Sequence, residues 1–593
     1  MRLLLDCETN GLDFSDGAWL PRVQTVFCLV IKNLDTGNIS KYYDTDGLRE
    51  LGTGTVLQGI QELKQATELS GHNIIQFDLP VLRKLYGFIP KCRTFDTLVA
   101  SRTLYPDRIG GHSLGAWGDK LRFPKGDHND FDGFSPEMLE YCVRDVELNS
   151  RVYEALRQEA KQGQWDKALD LEHRIAEIIA RQEEKGFYFN GEQAKEYLAE
   201  WEKEIDNIDN TVVGRTRKRV LRKHSVAQPF KINGALAKRT LTVADQYGIN
   251  SADICGPFDT FEYKPHSIAS KTQQKEVLLE LGWEPEQYTK TGTPKIDDSI
   301  LGIGIIGEKL HRRNVLGHRR SQVAGLLALQ DEHGRVHGGA NPCGTNTSRM
   351  KHQRIVNIPR ASSPLGREIR SLFTVPSGKV LLGYDAASLE LRILAHYIGS
   401  QEYNERICST NKLDDAHTLA ATAAGSDDRD IGKTINYALI YGAGDGKLGS
   451  IVGGTAAEGE RIRSRLYDRI PGMARLVSQA KSAAKRGFII SLDGRKLYTR
   501  PRVSPLNTLI QGGGSIFMKT VAALLDQYVK QDNLTAFKVV DMHDEAQWEV
   551  DPEEVPALSS LIEDSFIEAC SLLELRCPQE PEIKTGTNWS QTH

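Results

Sequence analysis

The sequence predicts a multidomain protein combining α/β and α+β domains, on three observations. At 593 residues the chain exceeds what one hydrophobic core organises. Short apolar runs lead into acidic residues near the start and in mid-chain: Leu3-Leu4-Leu5 before Asp6, and Val380-Leu381-Leu382 shortly before Asp385. Between them, from residue 166 to about 329, apolar residues recur in stretches at the 3.6-residue period of helices.

Composition narrows the class. Charged residues are 26% and apolar ones 39%, as in ordinary soluble globular proteins. No uninterrupted apolar run reaches bilayer length, so no membrane partner is expected. Asp6 breaks the apolar N-terminus, which lacks a signal-peptide pattern. The nine cysteines form no C-x-x-C pair, which argues against a disulfide frame or zinc ribbon and fits a reducing cytoplasm. The net charge of −4 at first opposes a nucleic-acid partner, but its distribution matters more than its sum. Between Asn210 and Asp245 there is no acid, while Arg215, Arg217, Lys218, Arg219, Arg222, Lys223, Lys231, Lys238 and Arg239 all fall there. His311, Arg312, Arg313, His318, Arg319 and Arg320 form a second cluster. Either could neutralise phosphates, or be a solvated basic face.

In the N-terminal part, Leu3-Leu4-Leu5 and Val26–Ile31 read as buried strands. Asp6 and Glu8, two apart at the end of the first strand, face the same way and can reach one metal; Mg²⁺ takes such oxygen ligands. Asp78 closes the stretch Gly71–Phe77 before a helix-like Leu79-Pro80-Val81-Leu82. Tyr141 and Asp145 share one helix face. In the middle, 166–185 reads as a helix ended by Gly186, with further helices from Gly191 toward Asp209, over 273–281 and over 308–329. Residues 211–265 have no clear period and read as an insertion or mobile lobe.

In the C-terminal part, Val380–Asp385 is a strand running into an acid. Val539–Val550 reads as a hairpin whose tight turn exposes Asp544 beside Asp385. Arg429, Lys433, Tyr437 and Tyr441 recur every four residues and drift slowly around one helix face. Cations followed by rings suit a nucleotide; an amphipathic helix with snorkelling cations is the plainer reading. The two acidic centres each read as half of a two-metal carboxylate site of the kind that performs phosphoryl transfer.

Asp6-Cys7-Glu8, Asp78 and Tyr141-x-x-x-Asp145, in this order, resemble the DEDDy 3′–5′ exonucleases, whose fold is ribonuclease H-like. The resemblance implies that Asp6, Glu8, Asp78 and Asp145 hold two divalent metals and that Tyr141 orients the attacking water. Asp385–Arg392, Arg429–Tyr441 with Gly442-Ala443-Gly444-Asp445, and His543-Asp544-Glu545 resemble motifs A, B and C of family A DNA polymerases of the T7-like phage type. Thr347-Ser348-Arg349, Asn357-Ile358-Pro359, Leu492–Lys496, Asn507–Gln511 and Asn588-Trp589 extend the likeness.

That resemblance implies a right-hand polymerase after the exonuclease: exonuclease 1–165, thumb 166–340 with the insertion at 211–265, palm 341–425, fingers 426–502 and palm again 503–593. It implies template-directed DNA synthesis with proofreading, on primer–template DNA and dNTPs, in the host cytoplasm. Asp385, the Ala386 carbonyl and Asp544 would hold two Mg²⁺, with Mn²⁺ as a substitute, and Glu545 would complete the catalytic acids. Arg429, Lys433 and His417 would meet the triphosphate, Glu390 would be the steric gate against ribose, and Tyr441 would lie near the templating base. Tyr437 stands where the family carries Tyr or Phe, and a Tyr there implies acceptance of dideoxynucleotides. Arg349, Asn507, Gln511 and His543 would contact the substrate, the first three through the minor groove, where recurring acceptors report pair geometry without sequence.

In the phage type a long thumb insertion captures thioredoxin. The counterpart here is shorter and different, which weakens the case for thioredoxin itself and leaves a processivity factor, and a helicase-primase, as candidate partners. Two alternatives remain: a single-subunit RNA polymerase, against which Glu390, the His-Asp-Glu motif and the attached nuclease argue, and a nuclease joined to an inactive polymerase scaffold.

Overall fold

The computed structural model describes residues 1–593 apart from 12, 45–51, 410, 412, 414, 501 and 502. The chain divides into two units, Met1–Asn190 with Ala328–His593, and Gly191–Leu327.

The first unit begins with a five-stranded sheet ordered Ile39–Tyr42, Val26–Asn33, Arg2–Thr9, Glu68–Gly71, Arg93–Asp96. The first three strands are antiparallel and the last three parallel. Leu3, Leu4 and Leu5 are all fully buried because both sheet faces are covered, which is why the strand reads as an unbroken apolar run. Leu3 and Leu5 pack with Ile60, Ile74 and Val81 on one face. Leu4 packs with Cys142 and Val146 of the helix Pro136–Ala160 on the other. The helix Asp166–Lys185 ends where expected, at Gly186, whose φ of 68° suits glycine.

Residues 328–593 build a four-stranded antiparallel sheet ordered Phe537–Met542, Glu545–Val550, Val380–Ala386, Pro581–Gly586. The helix Pro505–Gln531 lies in its core with Leu389–Ile398 and Val555–Leu572. A Cβ on Gly512 would stand 2.2 Å from Leu497 and one on Gly513 2.9 Å from Ile393, so these glycines permit the close approach. This 27-residue helix is long and apolar enough to cross a membrane, a match the sequence reading did not register because Gly512–Gly514 and Lys519 interrupt its apolar run. Within the protein 83% of its most apolar stretch is buried, as in a core helix.

In the second unit the helices Gly191–Arg215 and Ile305–Ala328 are joined by ion pairs. Arg312 meets Glu204 at 2.8 Å, Arg313 meets Asp209 at 2.9 Å, and Arg320 pairs with Glu202. Three arginines of the second basic cluster thus serve helix packing. The stretch 211–265 carries regular structure the sequence reading lacked: the antiparallel strands Arg219–Val226 and Phe258–Lys264, with the helix Lys238–Gln246 between them. A two-stranded ribbon needs only one sheltered row, here Val226 and Thr260, so no apolar alternation marks it in the sequence.

Candidate active sites

The strand Arg2–Thr9 carries Asp6 and Glu8 on one face, and the helix Asp78–Tyr86 opens on Asp78. The Cys7 amide donates to Asp78 Oδ1 at 3.1 Å, tying that helix to the strand. Tyr141 and Asp145 lie one turn apart on Pro136–Ala160. The predicted exonuclease residues therefore converge on one sheet end. Burial first, then neighbouring carboxylates, raises Asp6 well above the usual carboxylate range. Burial likewise raises Glu8, Asp78 and Asp145.

Four acids in one buried cluster cannot all ionise without a cation. One is present: Lys125, with Nζ 3.0 Å from Asp145 Oδ2 and 5.0 Å above the Tyr141 ring. It is insufficient for four carboxylates, and Asp145 Oδ1 is buried without a hydrogen-bond partner. An oxygen-rich, charge-deficient cluster of this kind fits hard divalent cations. Cys142 also lies within 4.8 Å of Asp6 and Glu8. Its Sγ donates to the Asp6 carbonyl at 3.5 Å, and burial raises the thiol well above its usual range.

The second centre forms where three backbone segments meet. Asp385 pairs in register with Glu545, and the Ala386 amide donates to the Asp544 carbonyl at 3.0 Å. The turn between Phe537–Met542 and Glu545–Val550 is tight enough to put His543 at φ 65°. Burial, then Asp544 and Glu545, pushes Asp385 up to about 7, and burial raises Asp544. Glu545 behaves differently. Burial works to raise it, but His593, Arg370 and Trp589 hold it below the usual range. It accepts from Gln547 at 2.8 Å, Arg370 at 3.3 Å and Trp589, and pairs with His593 Nδ1 at 2.9 Å. Its carboxylate is thus committed to the floor of the site, which Asp385 and Asp544 overlook.

The helix Arg429–Ile440 is capped by Asp428 and runs into Tyr441. Ile435 and Leu439 bury its inner face, Lys433 is exposed and Tyr437 half-buried. Arg429 donates to Asp415 at 2.6 and 2.8 Å. A Cβ on Gly432 would stand 1.9 Å from the His417 carbonyl, so only glycine lets the helix Ala416–Ala423 cross here. That crossing sets the His417 ring 6.5 Å from Tyr437. Asn436 donates to His417 Nδ1 at 3.2 Å. The Tyr437 phenol is raised by burial, then by Glu390, Asp544 and Asp385, so it faces the acids.

Glu390 accepts from Arg349 Nη2 at 2.9 Å and from Tyr441 at 3.1 Å. Asn507 and Gln511 stand one turn apart on Pro505–Gln531, and Asn507 Oδ1 is buried with no protein partner. His543 packs edge-on against His352 at 4.9 Å, and burial lowers it to about 4, leaving it neutral.

Residues 257–591 match the model of DNA polymerase family A. The chain belongs to DNA polymerase family A. DNA-directed DNA synthesis on primer–template DNA from dNTPs follows from that membership, and the RNA polymerase alternative falls with it. The DNA-directed DNA polymerases of Enterobacteria phage T3 and Escherichia phage T7 are each 27% identical, over 100% of both chains. That of Escherichia phage Phieco32 is 27% identical over 71% of this chain and 98% of its own. The solved POL domain of Pol1 from M. smegmatis, in complex with DNA primer-template and dNTP, superposes with a TM-score of 0.76 at 19% identity, covering 100% of this chain and 95% of that one. At that identity the likeness establishes the family A polymerase fold, with mixed α and β content.

Several residues escaped the sequence reading. Lys125 lies in a loop without period. Arg370 and His593 lie outside every motif. Glu172 and Lys519 form a fully buried ion pair at 2.7 Å, with Lys519 also donating to the Ser348 carbonyl at 2.6 Å, beside Arg349. Only Trp589 carried a signal, as part of the Asn588-Trp589 match.

Proposed function

We propose that this family A enzyme replicates a phage genome in the host cytoplasm and proofreads its product, with a ribonuclease H-like 3′–5′ exonuclease in residues 1–165 and thumb, palm and fingers over 166–593. The observation that carries this reading is the presence of two separate carboxylate centres in one chain, each at the end of a buried strand and each holding carboxyls that burial raises.

At the polymerase centre Asp385, the Ala386 carbonyl and Asp544 are the residues that would hold divalent cations. Mg²⁺ bound there would lower the pKa of the primer 3′-hydroxyl and neutralise charge on the departing pyrophosphate. Arg429, Lys433 and His417 grip the triphosphate. Tyr437 lies against the sugar, and Glu390 fills the space a 2′-hydroxyl needs. Tyr441 packs by the templating base. Arg349, Asn507 and Gln511 donate to minor-groove acceptors that every correct pair presents, and a mismatch loses those bonds. Closure of the Arg429–Ile440 helix on a matched nucleotide aligns these groups.

At the nuclease centre Asp6, Glu8, Asp78 and Asp145 would hold the cations, and Tyr141 orients the water. The test separates the two centres. Asp544→Ala abolishes extension and spares degradation of a single strand, and Asp6→Ala with Glu8→Ala does the reverse. Undiminished extension in the first variant, or undiminished degradation in the second, would defeat the corresponding assignment.

A further inference from the structure

None of the residues described at the two centres belongs to the acid-free stretch, which lies in the second unit. Within the second unit, Arg219, Arg222 and Lys223 pair with Glu276, Asp259 and Glu262. Arg215, Arg217, Lys218, Lys231, Lys238 and Arg239 have no carboxylate partner among the described residues. The pair Arg222–Asp259 spans 3.4 Å in an exposed setting, and exposed pairs of this kind are worth little and exchange readily.

The ribbon carries something further. Its cross-strand pairs Val220↔Tyr263 and Arg222↔Phe261 put four side chains on one face. That face is turned outward: Tyr263 is 64% exposed, Val220 56% and Phe261 46%. On the other face Thr260 is buried. Two rings and a cation thus share a face that is about half open to solvent, and such patches mark binding surfaces.

The occupant follows from chemistry. Residues two apart on a strand are separated by about 6.7 Å, close to the step between nucleotides in a stretched single strand. Rings at that step can stack on successive bases, and stacking is indifferent to sequence. A duplex hides its base faces, so it would leave both rings unused. An acidic protein would answer the cations but not the ring spacing. We infer that the ribbon Arg219–Val226 with Phe258–Lys264 binds single-stranded DNA, Phe261 and Tyr263 stacking on bases while Arg217, Lys218 and Arg222 follow phosphates. The inference rests on family membership and not on the proofreading assignment.

The test uses the full chain with its polymerase cleft occupied by a dideoxy-terminated primer–template and the next dNTP. A fluorescent, nuclease-resistant phosphorothioate oligothymidylate is then titrated and followed by anisotropy. Phe261→Leu with Tyr263→Leu keeps apolar bulk but removes both π faces, and should weaken binding roughly tenfold or more. Phe261→Trp with Tyr263→Trp should retain it. Arg217→Ala with Lys218→Ala should flatten the dependence of log K on log salt by about 0.7 for each contacting cation. Single-nucleotide insertion is measured in the same variants, so that loss of the polymerase fold is seen separately. Insertion intact with oligothymidylate affinity and salt slope both unchanged overturns the inference, and would leave the ribbon to a protein partner. Should the leucine pair not fold, the Arg217/Lys218 slope decides.

Discussion

Tyr441 donates its phenolic O–H to Glu390 at 3.1 Å, while Arg349 approaches the same carboxylate at 2.9 Å. One acid thus links the helix of residues 429–440 to the segment that precedes the strand Val380–Ala386. As the proposed steric gate, Glu390 must be held still to exclude a hydroxyl. Glu390→Ala should raise ribonucleotide incorporation on the order of tenfold to a hundredfold. Tyr441→Phe removes one neutral donor, about 1 kcal/mol, and should lower kcat/KM for dNTPs several-fold. Since both act on one contact, their effects should be non-additive by about 0.5–3 kcal/mol in a double-mutant cycle of single-nucleotide insertion. Strict additivity would remove the link.

Lys125 is the sole cation against the proposed nuclease acids Asp6, Glu8, Asp78 and Asp145 among the described residues, 3.0 Å from Asp145. Burial works to lower it, but Tyr141 and Asp145 hold its ammonium above the usual range, so it stays charged. It is placed to fix Asp145 and Tyr141 relative to one another. Lys125→Met should lower single-strand degradation by roughly 10²-fold and leave extension unchanged. Lys125→Arg should restore part of the loss. Degradation by Lys125→Met at the wild-type rate would assign the lysine to charge balance alone.

What was legible in the sequence and what was not divide along one physical line. Asp6 and Glu8 could be read because an apolar strand fixes where its i and i+2 side chains point. Tyr141 and Asp145 could be read because a helix does the same at i and i+4. Asp544 followed from a turn between two strand-like runs. Lys125 could not, because its loop has no period to say which way it points. Glu172 and Lys519 each look like a solvated helix charge, and only the meeting of Asp166–Lys185 with Pro505–Gln531 buries both. The ribbon at 219–264 was illegible because its exposed face needs no apolar alternation. Local geometry was readable from local sequence; of the contacts between distant elements, only those that the family resemblance or an acid at a strand end implied were.

That buried pair supports a prediction of its own. Glu172 is 0% exposed and receives Lys519 at 2.7 and 2.9 Å together with Arg495, which also binds Asp493 at 2.8 Å. Lys519→Met leaves Glu172 with one cation and frees the Ser348 carbonyl, held also by Ser515 at 2.8 Å. Breaking a buried pair from one side costs about 3–5 kcal/mol. Urea unfolding should register a loss of that size. Because Ser348 precedes Arg349, the same variant should raise KM for the primer–template more than it lowers kcat. A variant as stable as the wild type would mean that water replaces the ammonium.

The proposed polymerase acids should make stability depend on pH and on divalent ions together. Asp385 keeps its proton up to about 7, against an ordinary 3.8, because burial and then Asp544 and Glu545 oppose its charge. A carboxyl whose folded value lies above its unfolded value binds more protons when folded. Its contribution is therefore intact below about 3.8 and is lost progressively as pH rises to about 7. A divalent ion on the carboxylate offsets that loss, so stabilisation by Mg²⁺ should grow through this window and level off above it. Asp6, Glu8, Asp78 and Asp145 are raised in the same direction, so the measurement belongs in the Asp6→Ala, Glu8→Ala background. There the increase in Tm on adding Mg²⁺ should be larger above about pH 7 than near about pH 5. Asp385→Asn, which cannot ionise, should flatten the difference. An increase of the same size at both pH values in the parent background would mean that Asp385 does not exchange its proton for the metal.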